Sequence, residues 1–166
     1  GRKGLLNKIE IAFRDNEKPV FWLHAASLGE FEQGRPVMEA YREQYPDHRI
    51  LLTFYSPSGY EVRKNYAGAD DVFYLPIDTA RNAEKFLGIV QPKIAVFVKY
   101  EFWYHYISKS IAQGVYFISI STILRPGHFL LDKRGKFLAQ SKNKINHFFP
   151  QEEQSADFLK KLSVEH

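Results

Sequence analysis

The sequence predicts a doubly wound α/β domain, a mainly parallel sheet with helices on both faces. Three observations carry that reading. Short apolar runs alternate with amphipathic stretches from Pro19 to Ser119, the pattern of strands separated by crossover helices. Gly114 stands where a helix should stop before the next apolar run. The length of 166 residues is about one domain, enough to enclose a core and short for two.

Taken in order, residues 1–18 carry Arg2, Lys3, Leu5, Leu6, Lys8, Ile9 and Ile11, a basic amphipathic pattern. It reads first as a helix packed on the sheet and second as a membrane-surface contact. Strands are expected at 20–25, 49–54, 71–75, 93–98 and 115–120, and helices at 30–45, 57–67, 80–90 and 102–113. A final strand at 145–149 and a helix at 152–162 complete the sheet. Between them, 121–141 breaks the alternation: Arg125-Pro126-Gly127 is a turn signal, followed by Phe129-Leu130-Leu131 and the basic Lys133, Arg134 and Lys136. That segment is a connection or a surface-binding element. In a doubly wound sheet, ligands bind beyond the carboxyl ends of the strands. Function is therefore sought in the loops that begin at Ala26, Tyr55, Pro76, Lys99 and Ser121.

Composition narrows the chemistry. A 45% hydrophobic, 25% charged chain with 10 Gly and 8 Pro is an ordinary globular composition, far from a disordered or collagenous one. Zero cysteines exclude thiolate catalysis, iron–sulfur clusters, Cys-bearing zinc sites and disulfides. The six histidines show no metal-binding spacing, so no metal is expected. There is no Walker loop, dinucleotide fingerprint or nucleophile elbow, and no apolar run long enough to span a membrane. The net charge of +4 gives a mild attraction to phosphates, nucleic acid or anionic lipid. For the basic aromatic stretch 133–149, a solvated face ranks first and an anionic membrane surface second. Nucleic acid comes last, because no nucleic-acid-binding signature accompanies the charge. A start at Gly1 rather than Met reads as an excised fragment, a single domain over 1–166, and Glu165-His166 equally fits the stub of a tag.

Three loops carry candidate chemistry. After the first strand, Ser27-Leu28-Gly29-Glu30 has two readings. Ser-x-x-Glu is a capping box that satisfies free helix amides. Alternatively, Glu30, its ionised form favoured by the helix dipole, accepts a proton from a substrate hydroxyl as that oxygen attacks an electrophile, and Gly29 lets substrate approach the backbone. After the second strand, Ser56-Pro57-Ser58-Gly59 reads as a capped helix start whose amides and hydroxyls either cap the helix or hold a ligand. After the fourth strand, Lys99-Tyr100-Glu101-Phe102-Trp103-Tyr104-His105 is dense in aromatic and ionisable groups. Glu101 there either charges a helix start or faces Glu30 across the sheet edge and supports developing charge. His24, at the end of the first strand, reads as a hydrogen-bonded core or rim histidine.

Four segments, each at a strand end, together resemble the amino-terminal half of 3-deoxy-D-manno-octulosonic acid (Kdo) transferases. They are Trp22-Leu23-His24-Ala25-Ala26-Ser27-Leu28-Gly29-Glu30, Thr53-Phe54-Tyr55-Ser56-Pro57-Ser58-Gly59, Tyr74-Leu75-Pro76-Ile77-Asp78 and Tyr100-Glu101-Phe102-Trp103. The last keeps the Glu and Trp of the family's Thr-Glu-aliphatic-Trp-Pro-Asn motif and departs elsewhere. The resemblance implies the Rossmann-like acceptor domain of a two-domain GT-B glycosyltransferase, with the donor CMP-Kdo bound by a further domain beyond His166. It implies metal-independent, inverting transfer of Kdo to a lipid A precursor in lipopolysaccharide synthesis. The expected location is the cytoplasmic face of the inner membrane of a Gram-negative bacterium. By the same matching Glu30 is the general base, Glu101 supports the transition state, and Ser27, Gly29, Ser56, Ser58 and Gly59 bind substrate. The partners expected are the acceptor lipid and an anionic membrane surface, met by Arg2, Lys3, Lys8, Arg125, Lys133 and Arg134 with Phe129–Leu131, and no nucleic acid. Two other readings stay open, a non-catalytic flavodoxin-like binding module and a different GT-B sugar transferase.

Overall fold

A computed structural model describes residues 4–99, 103–123 and 145–161. Glu101, with Tyr100 and Phe102, lies outside the described residues, as do Arg2, Lys3, Arg125, the Phe129–Leu131 and Lys133–Lys136 stretches, and Glu165-His166.

In chain order the elements are α1 Leu5–Phe13, β1 Val20–Ala25, α2 Leu28–Gln44, β2 Arg49–Phe54, α3 Pro57–Arg63, β3 Asp71–Tyr74, α4 Ala80–Val90, β4 Pro92–Val98, α5 Tyr104–Ala112, β5 Tyr116–Thr122, β6 His147–Pro150 and α6 Glu153–Lys161. The six strands form one sheet in the order β3-β2-β1-β4-β5-β6, and every neighbouring pair is parallel. This is the doubly wound order, and the chain reverses direction across the sheet between β1 and β4.

Both faces are covered, and alternation along β1 divides its side chains between them. Val20 and Trp22 join the cluster under α1, α4 and α5, whereas Phe21, Leu23 and Ala25 join the one under α2 and α3. All six β1 residues are buried. A strand filled on both faces reads as a continuous apolar run, which is why its limits were legible in the sequence.

The departures from expectation have local causes. Helix α3 ends at Arg63 rather than 67, because the chain then turns to set Tyr66 edge-on to Phe31, 5.1 Å between ring centroids. An ion pair from Arg63 to Glu32 (2.7 Å) fastens that end to α2. Strand β5 runs on to Thr122 through an irregularity at Ser121, whose φ of 52° is left-handed, so that Thr122 pairs with Pro150. Helix α1 packs on the sheet as its apolar pattern predicted, through Leu5, Ile9 and Phe13. Among the described residues no helix is long and apolar enough to cross a membrane.

At the amino ends of the strands, Asp70 accepts the Ile50 N–H (2.6 Å) and a hydrogen bond from the Arg42 guanidinium. Partial burial alone raises its pKa, but these partners outweigh burial and hold the carboxyl below its ordinary value. A depressed carboxylate contributes stability above its unfolded pKa and loses it as pH falls through the folded one. The side chain is 43% exposed, so solvent discounts the gain, and Asp70→Asn should cost about 1 kcal/mol at neutral pH. Urea titrations should show the gap between variant and wild type closing as pH drops below about 4. A gap that persists in acid would assign the loss to packing instead.

Candidate functional site

The floor of the carboxyl edge is polar and buried. His24 and Thr53 are partners across β1 and β2. The Trp22 indole N–H donates to Thr53 Oγ1 (2.8 Å), and His24 Nδ1 meets the same oxygen at 3.0 Å. His24 is fully buried, its ring 5.0 Å from Phe97 and edge-on to Trp103 at 5.5 Å. It is the hydrogen-bonded core histidine the sequence predicted.

Directly above, Ser27 is the N-cap of α2 in extended geometry, and its Oγ accepts the Glu30 N–H at 3.5 Å. The reciprocal half of the expected capping box is displaced by one residue: Glu30 Oε2 accepts the N–H of Ala26, at 2.6 Å, in place of that of Ser27. The half-buried carboxylate is thus tied to the last turn of chain before the helix. An ionised carboxylate is an acceptor group that can take a proton from a substrate hydroxyl as well as bond a backbone amide. Gly29 is exposed, and a Cβ built there meets nothing within 4 Å, so the backbone beside Glu30 is open to approach.

The second hydroxyl-bearing loop is joined to the first through the same residue. The Ala26 carbonyl accepts the Ser56 N–H (2.7 Å), so one residue bonds Glu30 through its N–H and Ser56 through its C=O. Ser56 caps α3, its Oγ accepting the Ser58 N–H (3.3 Å) and lying 3.0 Å from Ser58 Oγ. Gly59 is buried, and a Cβ there would sit 2.2 Å from the Phe54 ring, so packing by itself requires a glycine. Ser27 and Ser56 cap α2 and α3, and Gly29, Glu30, Ser58 and Gly59 lie in the first turns of those helices, after the adjacent strands β1 and β2.

Across the switch point, β4 ends at Val98 and Lys99 takes a left-handed φ of 61°, its N–H donating to the Ile120 carbonyl at 2.8 Å. Two non-glycine residues in that conformation, Lys99 and Ser121, therefore sit side by side at this edge, the kind of backbone strain that gathers at functional sites. The carboxylate Glu101 lies outside the described residues. Helix α5 begins at Tyr104 instead of 102, with Trp103 as an N-cap that supplies no side-chain bond. The carboxylate that meets its first turn is Asp78, from the loop after β3, at 3.2 Å from both the His105 and Tyr106 N–H donors.

Sequence reasoning assigns no role to Asp78 or Trp103, although both lie in the segments that carry the family resemblance. A loop Asp after Pro76-Ile77 was the available signal. Tyr106, buried beside them, donates its hydroxyl to the Pro76 carbonyl (3.0 Å). Burial, with the Asp78 charge adding, pushes its pKa far up, so the group stays a donor. Two hollows of about 520 Å³ lie elsewhere, around residues 13–19 near the amino ends of the strands, and neither includes Glu30. Among the described residues no three His, Asp or Glu side chains gather as a metal site.

Comparison with known proteins adds an independent observation. A family model described as 3-Deoxy-D-manno-octulosonic-acid transferase (kdotransferase) matches residues 2–166. A protein of Aquifex aeolicus named 3-deoxy-D-manno-octulosonic acid transferase is 36% identical over 89 residues, covering 53% of this chain and 24% of that protein. Its namesake in Haemophilus influenzae is 32% identical over 99 residues, covering 58% and 23%. A Chlamydia pneumoniae relative of the same name is 30% identical over 137 residues, covering 81% of this chain and 30% of the relative. The matched stretches span under a third of those relatives' lengths.

Proposed function

Because the family model matches residues 2–166, the chain belongs to the 3-deoxy-D-manno-octulosonic-acid (Kdo) transferase family, and from that premise we propose that it is the acceptor-binding half of an inverting Kdo transferase. Its acceptor is a lipid A precursor, its donor CMP-Kdo is held by a further domain, and it works at the cytoplasmic face of the inner membrane of a Gram-negative bacterium. Neither a metal nor a cofactor takes part.

The observation that carries the reading is the pairing of loops through Ala26. It sets Glu30 and the Ser56–Ser58 hydroxyls beside one another at the carboxyl end of β1, next to the topological switch. In the proposed step an acceptor-sugar hydroxyl oxygen attacks the anomeric carbon of Kdo. Its proton passes to the Glu30 carboxylate, and the bond to CMP breaks with its electron pair leaving on the phosphate oxygen. Attack from the face opposite the leaving group inverts the centre. Ser27, Ser56 and Ser58 hold acceptor hydroxyls, Gly29 admits the sugar, and Gly59 keeps the α3 loop packed. Glu101, on the loop after β4, supports the charge that develops.

The test is release of CMP by the complete gene product, supplied with CMP-Kdo and a bisphosphorylated lipid A precursor. CMP release that depends on the acceptor is the expected result. No release with that pair, but turnover with another nucleotide sugar, would transfer the site to different chemistry.

A further inference from the structure

Asp78 makes no bond of use to its own helix. Helix α4 is capped by its neighbour Thr79, whose hydroxyl accepts the Asn82 N–H at 3.2 Å. Asp78 instead reaches α5, where its two oxygens accept the second and third amides of the helix, His105 and Tyr106, each at 3.2 Å. Trp103, at the position where a Ser, Thr or Asp side chain would serve, has no oxygen to offer. The cap therefore comes from a different strand's loop, and a carboxylate at a helix amino end is favoured by the dipole as well. The Tyr106 hydroxyl returns a third bond to Pro76, so the β3–α4 loop and the start of α5 are closed on each other.

What this closure holds is Trp103. Its ring stands edge-on to His24 (5.5 Å) and to Tyr55 (4.8 Å). His24 precedes the loop that carries Glu30, and Tyr55 precedes Ser56. One aromatic side chain thus touches the root of both loops, and its position along the edge is set by where α5 begins.

We propose that Asp78 is a positioning residue of the transfer site: by capping α5 from the β3–α4 loop it holds Trp103 against the roots of the Glu30 and Ser56 loops. The inference rests on the proposed function for its chemistry and on the hydrogen bonds for its mechanics. Asp78 touches no reacting atom. Losing it frees the start of α5, and the two loops then meet the acceptor in a broader set of arrangements, which lowers kcat more than substrate affinity.

The experiment uses the complete gene product carrying Asp78→Ala, Asp78→Asn or Thr79→Ala, read by amide hydrogen exchange over residues 103–107 and by acceptor-dependent CMP release. For Asp78→Ala, exchange at His105 and Tyr106 should rise about tenfold or more. Its kcat should fall about tenfold or more, with KM for CMP-Kdo within about twofold. Asp78→Asn keeps an oxygen for one amide and should lie between on both readouts, which also covers a failure of the alanine variant to fold. Thr79→Ala uncaps α4 next door and should leave kcat within about twofold of wild type. The proposal is overturned by faster exchange at unchanged kcat, by unchanged exchange, or by a Thr79→Ala loss as large as that of Asp78→Ala. A wild-type product that releases no CMP sinks the proposed function and the kinetic half of this inference, while exchange at His105 and Tyr106 still decides whether Asp78 holds α5.

Discussion

Replacing Glu30 by Gln should reduce acceptor-dependent CMP release by roughly two or more orders of magnitude while leaving the fold intact. Glutamine is nearly isosteric and keeps an oxygen to accept the Ala26 N–H, so the tie between β1 and α2 survives. What is lost is the capacity to take a proton from the attacking hydroxyl. Thermal midpoints should change little, since the substitution keeps the size of the side chain and an acceptor for the Ala26 N–H. Acceptor affinity, measured without donor, should also be nearly unchanged. Turnover close to wild type would leave Glu30 with the structural task alone, that of the carboxylate in a shifted capping box. The displaced bond makes this a sharper comparison than an ordinary capping box would, because Ser27 still caps the Glu30 amide in the variant.

Gly59→Ala should destabilise the domain by about 2–3 kcal/mol, as overpacking does where neither side can move away. The new methyl would lie 2.2 Å from the Phe54 ring, and Phe54 is fully buried between β2, Phe31 and α3. Chemical denaturation of the single variant and of Gly59→Ala combined with Phe54→Leu separates the causes. A smaller side chain at 54 makes room, so the double variant should lose less than the sum of the two single losses. If Gly59→Ala is as stable as wild type but loses acceptor affinity, Gly59 is a ligand contact first and a packing residue second.

The fold was readable because strands β1, β2 and β4 are filled on both faces, and continuous apolar runs bounded by polar turns leave little freedom in their limits. Ends set by tertiary contacts were not. Helix α3 stops early for the sake of Tyr66 on Phe31, and β5 extends because a left-handed Ser121 lets it regain pairing with β6. At the site, the sequence indicated which residues stand at the strand ends but not which amide each carboxylate would meet. Glu30 bonds Ala26, one residue before the expected donor, and Asp78 serves a helix that begins beyond the next strand. The first is a matter of an ångström or two in loop geometry. The second joins positions with no periodic relation, and the Asp of Pro76-Ile77-Asp78 signals a polar loop without marking which helix it caps.

The strand order also governs how the chain is made. β1 is central in the sheet, with Val20 beside Arg49 on one side and Pro92 on the other. During synthesis its second partner emerges last, after β2, β3 and α4 have already left the ribosome. Until then an apolar strand stands with one side unpaired, a template for pairing with another nascent chain. Pairing between such distant segments is slow because the long loop must close before it is rewarded. Any piece of the protein that ends before β4 inherits this open side permanently. Soluble expression should therefore require a boundary beyond Val98, the point at which β1 gains its second neighbour.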